Sequence, residues 1–453
     1  MMRVGIIGAG PGGYEAAIRA AQLGMEVWLF EERELGGTCL NRGCIPTKAL
    51  WQAGSVKKTV EGAETFGIGA SKPTVDPARL YDRMDEVVTT LRGGIEELLR
   101  DRVTVVPARA SLNADANIVA DGKVYEIDRV LIASGSRPVR LPIAGGELAW
   151  TSDELLHSRE IPERLVVIGG GVIGLEFASI YAALGSKVTV VTDYLLPQAD
   201  AWMIKRLRPH LKKQGITIEA DYLVESIERA GEEMTVHAKH MKKEKTLTVT
   251  AKRVLMATGR RPATEDMGLE TAGIECTRGI EVDASFKTAH DKVYAVGDCV
   301  RGNTMLAHVA SSQAISVAET WAGKAHEKNL TLIPSTVFLY PELAWVGMSE
   351  EEVKKQDIPY RSETFPMAAN GKALTLGETA GVVKVIARED DGKLLGVYVF
   401  GAHAGDLIAS VTPVMVRGGN VDDFLTAITA HPSLGEALSE AMEKIRGRAI
   451  HAR

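Results

Sequence analysis

V-G-I-I-G-A-G-P-G-G, Val4 to Gly13, decides the fold class, because it sets Gly8, Gly10 and Gly13 in G-x-G-x-x-G register with Gly12 between them. The apolar V-G-I-I reads as a strand. Tyr14 to Leu23 has helical periodicity, Gly24 stops it, and V-W-L-F-E is a second strand ending on Glu31. A strand, a glycine turn, a helix and an acid about 20 residues further on form the dinucleotide-binding fingerprint in its full context. The glycines let backbone N–H groups approach a pyrophosphate at the helix N-terminus. Glu31 is placed to accept hydrogen bonds from the adenosine ribose hydroxyls.

The same order of elements recurs. L-V-V-I-G-G-G-V-I-G-L-E puts Gly169, Gly171 and Gly174 in the fingerprint, followed by a helix, Gly185 and the strand K-V-T-V-V-T. V-L-I-A-S-G-S-R-P (Val130–Pro138) closes the first cycle and V-L-M-A-T-G-R-R-P (Val254–Pro262) the second. Two nucleotide units in one chain form an internal duplication and a more specific signal than either unit alone. At the ribose position the second unit has Thr192 followed by Asp193. Either Asp193 substitutes for the acid or Thr192 donates a weaker hydrogen bond. No Arg or Lys lies between Asp193 and Ala201 to receive a 2′-phosphate, so NAD is expected over NADP.

Composition narrows the remaining choices. At 453 residues the chain needs more than one core. A net charge of −6 and 5% aromatic residues give no reason to expect nucleic acid or an anionic membrane as partner. Leu165 to Gly185 has the length of a membrane span, but its five glycines and Glu176 fit strand, turn and helix instead. Four cysteines do not make a secreted disulfide scaffold, and the opening residues pass straight into a strand, so a cytoplasmic protein is expected.

Two of those cysteines, Cys39 and Cys44, stand in E-L-G-G-T-C-L-N-R-G-C-I-P-T-K (Glu34–Lys48). Pro46 to Ala53 can be helical, and one helical turn would bring the thiols within disulfide reach, with Cα atoms roughly 4.4–6.8 Å apart. So short a loop gains little stability from closure, which favours a reducible pair over a structural staple. A zinc site would need two further ligands, and Cys276 and Cys299 are isolated, so no metal is expected.

Trp51 to Arg102 reads mainly as helix, Arg79–Arg100 most clearly, with a break near Gly67–Pro77. V-T-V-V-P-A-R-A, N-I-V-A and V-Y-E-I then suggest an antiparallel hairpin or meander. V-Y-A-V-G-D ends a strand on Asp298. From Leu332 onward the pattern is α+β: T-V-F-L, L-A-W-V-G and G-V-V-K-V-I-A-R as strands, Asp406–Arg417 and Ser433–Arg446 as helices. His431-Pro432 opens the last helix with Glu436 five residues on. Taken alone, such a histidine is more often a satisfied polar group than a catalyst.

With these residues in view the whole chain resembles the flavoprotein disulfide reductases, the class I pyridine nucleotide–disulfide oxidoreductases. The carrying motifs are G-G-T-C-L-N-R-G-C-I-P-T-K, both fingerprints, V-Y-A-V-G-D, M-L-A-H (Met305–His308) and H-P-S-L-G-E (His431–Glu436). F-P-M-A-A-N-G-K-A (Phe365–Ala373) and G-V-V-K-V-I-A-R point to the dihydrolipoamide dehydrogenase branch.

The resemblance implies an α/β fold of two Rossmann-like domains plus a C-terminal α+β dimerisation domain. The expected division is 1–145 (FAD), 146–264 (NAD), 265–330 (FAD, second part) and 331–453 (dimerisation). It implies Cys39 as interchange thiol, Cys44 as the thiol beside the flavin, and Lys48 paired with Glu176 near the flavin ring. FAD would be held by Gly8, Gly10, Gly12, Gly13, Glu31, Gly37, Thr38, Cys39, Lys48, Ala110, Ser134, Gly135, Asp298 and Met305, Leu306, Ala307 and His308. NAD would be held by Gly169, Gly171, Val172, Ile173, Gly174, Glu176, Thr192, Asp193, Val224 and Gly259.

In that family the His–Glu pair acts on the disulfide of the other subunit, so His431 and Glu436 imply a homodimer. A dihydrolipoyl dithiol on a carrier supplied in trans is the implied substrate and NAD the acceptor. The alternatives are an NAD(P)H-dependent reductase of another disulfide, or a flavin-binding subunit that does not use its redox residues. Where the family commonly has H-P-T, Ser before the acid, Glu–Gly and a ribose Glu, this chain has Ser433, Gly435, Gln313–Ala314 and Thr192.

Overall fold

The computed structural model describes residues 1–325 and 328–451. Its first sheet is wholly parallel. Val293–Ala295, Arg129–Ile132, Arg3–Ile7, Glu26–Phe30 and Thr104–Val106 lie side by side in that order. The helix Pro11–Gln22 follows the first strand, opened by Gly10 with Pro11 at its first position, where a missing N–H is harmless. The long helix Pro77–Leu99 starts the same way, with the Asp76 side chain accepting from Arg79 N–H.

The second unit repeats the first as a four-stranded parallel sheet in the order Ile216–Ala220, Lys187–Leu195, Arg164–Gly170, Arg253–Met256. The apolar window that begins at Leu165 resolves into the strand Arg164–Gly170 and the helix Val172–Leu184. Among the described residues no helix is long and apolar enough to cross a membrane.

The C-terminal unit is a five-stranded antiparallel sheet ordered Ser335–Val337, Glu342–Gly347, Leu394–Gly401, Val382–Arg388, Tyr360–Pro366. Side chains alternate across it. Val383, Val385 and Ala387 pack on helices Ala404–Val416 and Glu436–Ile445. Val382 and Ile386 join Leu165, Phe177 and Leu207 of the second unit in one core. Lys384 has the parity of that second face.

Lys384 is only 1% exposed, and its Nζ sits 2.8 Å from Asp200 Oδ2 and 2.7 Å from Glu350 Oε2. Asp200 serves two elements at once. Its Oδ1 caps the helix Ala201–Lys213 by accepting from Trp202 and Met203 N–H, while Oδ2 takes Lys384 and the Glu350 N–H. Burial raises the Glu350 pKa, but hydrogen bonds from Lys384, Tyr360 and Lys354 outweigh it and hold the carboxyl at about 2.

Three local readings are corrected. Thr104–Val106 is the parallel edge strand of the first sheet, so the antiparallel meander is confined to Ala110–Leu112, Ile118–Ala120 and Lys123–Tyr125. The last helix begins at Glu436 rather than Ser433, because the Glu436 carboxylate is held back on the preceding loop. Cys39 and Cys44 lie on two helices, Gly37–Arg42 and Cys44–Glu61, broken at Gly43.

Candidate active site

One cavity of about 1190 Å³ runs past both glycine turns and both thiols. That exceeds the roughly 300–1,000 Å³ typical of a single ligand pocket. It is lined by every residue expected at the flavin except Gly13, and by every residue expected at NAD except Gly174. Those two lie behind the turns, where they let the helix pack onto the loop. A Cβ on Gly13 would stand 1.7 Å from Gly8 O, and one on Gly174 would stand 2.1 Å from Gly169 O. The cradle therefore fits two dinucleotides and tolerates no side chain at its closing glycines.

The redox loop is seated directly on the first phosphate loop. Gly36 N–H donates to Ala9 O at 2.8 Å, and a Cβ on Gly37 would meet Gly10 Cα at 2.6 Å. This contact brings Cys39 and Cys44 to the cavity wall as free thiols. The two are unequal. A hydrogen bond from the Cys39 thiol, reinforced by Lys48, lowers the Cys44 pKa to about 7 against the opposing effect of burial. Serving as that donor, and being buried, pushes Cys39 far above the ordinary thiol range. Cys44 is thus the more readily ionised thiol of the two, and Cys39 the one that holds its proton more tightly.

Lys48 Nζ lies 3.0 and 2.8 Å from the two Glu176 oxygens. Glu176 also accepts the Phe338 N–H at 3.0 Å, and the Phe338 ring lies 4.5 Å from Lys48 Nζ. A loop of the C-terminal unit therefore orients an ion pair shared by the other two units. Asp298 accepts from Ser136 Oγ at 2.6 Å, and Arg260 donates to the same Ser136. Burial raises the Asp298 pKa. Phe338, Ser136 and Arg260 escaped the sequence reading because each acts through a contact between segments far apart in the chain.

His431 and Glu436 do form a pair, with Nδ1 donating to Glu436 Oε1 at 2.8 Å. The Ser433 N–H donates to Glu436 Oε2, and it is the larger cause, with His431 next, of the lowered Glu436 pKa. Asn370, from the F-P-M-A-A-N-G-K-A stretch, caps the helix Gly371–Leu376 and donates to Ser433 O, fixing the histidine loop. His431 is 79% exposed and does not line the cavity of its own chain.

At the second ribose position Thr192 is spent. Its hydroxyl accepts from Gly170 N–H at 2.8 Å and donates to Tyr194 O at 2.6 Å. The weaker ribose bond considered for it has no free donor, whereas the neighbouring Asp193 lines the cavity.

The family model described as pyridine nucleotide-disulphide oxidoreductase matches residues 2–314, and its dimerisation domain matches 333–442. A dihydrolipoyl dehydrogenase from Thermus scotoductus is 40% identical over 456 residues, covering 98% of each chain. One from Bacillus subtilis is also 40% identical, covering 98% of this chain and 97% of its own. Among solved structures, LpdA of Mycobacterium tuberculosis aligns with a TM-score of 0.90 at 28% identity, over 98% of this chain and 100% of that one. The HOCl-induced flavoprotein disulfide reductase RclA of Escherichia coli aligns at 0.87 and 29%, over 97% and 99%. The two Rossmann-like units are accordingly the FAD and NAD sites, and the C-terminal unit is the one through which the chain forms a homodimer. The chain belongs to the pyridine nucleotide-disulphide oxidoreductase family.

Proposed function

We propose that this protein oxidises a dihydrolipoyl dithiol, presented on a carrier in trans, and passes the electron pair to NAD. The observation that carries the reading is the unequal thiol pair beside the Lys48–Glu176 ion pair. The 40% identity to two dihydrolipoyl dehydrogenases supports the choice of dithiol.

In the oxidised enzyme a substrate thiolate attacks Cys39, the Cys39–Cys44 bond breaks, and Cys44 leaves as a thiolate. A pKa of about 7 makes Cys44 the better leaving group. The second substrate thiolate then attacks the mixed disulfide, closing the cyclic product and releasing Cys39, which takes up a proton. In the resulting dithiol Cys44 is the thiol whose pKa is lowered, so it is the one that keeps the charge. The two-electron relay from this dithiol to NAD is chemistry that bound FAD supplies.

His431 of the partner subunit removes the substrate thiol proton at Nε2, Nδ1 being committed to Glu436. Its exposure, and its absence from its own chain's cavity, support action across the dimer. We place the protein in the cytoplasm, in keeping with a composition of only four cysteines in 453 residues. The division 1–145, 146–264, 265–330 and 331–453 is the domain plan we propose, in keeping with the two parallel sheets and the antiparallel one.

His431→Gln should lower the rate of dihydrolipoamide-dependent NADH formation by roughly 10²–10⁴-fold with unchanged flavin absorbance. An unchanged rate would remove His431 from the mechanism. NADPH oxidation with a low-molecular-weight disulfide, faster than dihydrolipoamide oxidation, would favour a reductase instead.

A further inference from the structure

Resting on the reading that Cys44 leaves as a thiolate, we propose that Phe338 is a positioning residue, the tip of a clamp by which the C-terminal unit holds the Lys48 ammonium beside the thiol pair. Cys44, Lys48 and Trp51 stand at i, i+4 and i+7 of the helix Cys44–Glu61 and so share one face. Three consecutive residues of the C-terminal unit grip that face. The Phe338 ring covers Lys48 Nζ at 4.5 Å and meets the Trp51 indole edge-on at 5.6 Å. Leu339 O accepts the Trp51 Nε1–H at 3.0 Å. The Tyr340 ring stacks on the same indole at 5.5 Å with 3° between the planes, and its hydroxyl donates to Trp51 O. That reach needs Gly54, where a Cβ would stand 2.3 Å from the Tyr340 hydroxyl oxygen.

The clamp also grips the second unit. Gln214 Nε2 donates to Tyr340 O, while Gln214 Oε1 accepts from Ser179 at 3.1 Å, three residues beyond Glu176 on the helix Val172–Leu184.

A lysine is a point charge on a flexible stem, so its direction must be set by its neighbours. Direction matters here because the two members of the ion pair act oppositely on Cys44: Lys48 lowers its pKa and Glu176 raises it. Cys39 is the third ionisable group that bears on Cys44, and Phe338 brings a ring and no charge. A cation within about 6 Å of a ring centroid is drawn to the ring's face, more strongly where water is kept out. Without the ring the ammonium turns to water, while the Phe338 backbone N–H keeps Glu176 in place.

The pH–rate profile of iodoacetamide alkylation at Cys44 tests this in the reduced, FAD-loaded protein, with the modified residue located by peptide mass and flavin absorbance reporting the fold of each variant. Phe338→Leu keeps the backbone N–H and loses the ring. It should move the midpoint from about 7 toward the ordinary thiol value of about 8.5, slowing alkylation at pH 7 roughly fivefold. Phe338→Tyr should keep the parent midpoint. In Lys48→Met protein, where the ring has no ammonium to hold, adding Phe338→Leu should cause no further shift. A parent midpoint in Phe338→Leu, or equal shifts with and without Lys48, would overturn the proposal alone. A midpoint of about 8.5 in the parent would overturn it together with the reading of Cys44 as the leaving thiolate.

Discussion

The two nucleotide units share a backbone plan and part company after the second strand. After Glu26–Phe30 comes the acid Glu31 and then the loop that seats Cys39 and Cys44 on Gly10. The corresponding strand of the second unit, Lys187–Leu195, bulges before its end, and after it comes Asp200, which fastens the unit to the C-terminal sheet through Lys384. One copy of the duplicated plan carries the electron-handling groups and the other carries an anchor. The duplication fixed the nucleotide cradle, and the segment after the strand is where the copies were free to diverge.

Closing each cradle in turn sharpens the comparison most. Gly13→Ala drives a Cβ into Gly8 O, so the protein should be recovered without flavin absorbance. Gly174→Ala, with a similar intrusion on Gly169 O, should leave the flavin in place and lower NAD-linked turnover by roughly 10²-fold or more. Equal loss of flavin from both variants would break the assignment of one cofactor to each unit.

The anchor comes next. Lys384→Met would leave Asp200, which is fully buried, without its counter-charge. Removing one partner of a buried pair costs about 3–5 kcal/mol, read as the shift in denaturant unfolding. A loss below about 1 kcal/mol would mean the second unit is held by its apolar contacts alone. The Glu350 carboxyl, held at about 2 in the fold, adds stability that is complete above its unfolded pKa near 4.5 and lost as pH falls toward 2.

The smallest effect concerns the loop on the first unit. With its pKa lowered to about 7, reduced Cys44 should react with iodoacetamide at a rate that rises with pH through a midpoint near 7 and then levels off. A midpoint at the ordinary thiol value of about 8.5 would show that Cys39 and Lys48 do not act on it.

Much of this was legible in the chain. Both glycine turns, the thiol pair, Lys48 with Glu176 and His431 with Glu436 stand in motifs whose spacing is local or whose partners the family resemblance named. The anchor was not. Lys384 reads as a strand residue in G-V-V-K-V-I-A-R, and only the meeting of two units reveals that its ammonium replaces solvent with Asp200 and Glu350. Phe338 was hidden for a further reason, since the group it offers Glu176 is a backbone N–H that any residue carries. Thr192 was read as a departure, but its hydroxyl accepts the Gly170 N–H of its glycine loop as Glu31 accepts the Ala9 N–H of the first.

The account rests on Cys44 leaving as a thiolate and holding the electron pair before it moves on. Dihydrolipoamide-dependent NADH formation by FAD-loaded Cys44→Ser protein tests that step most directly. The account predicts no turnover above background with flavin content unchanged, and turnover at the parent rate would contradict it.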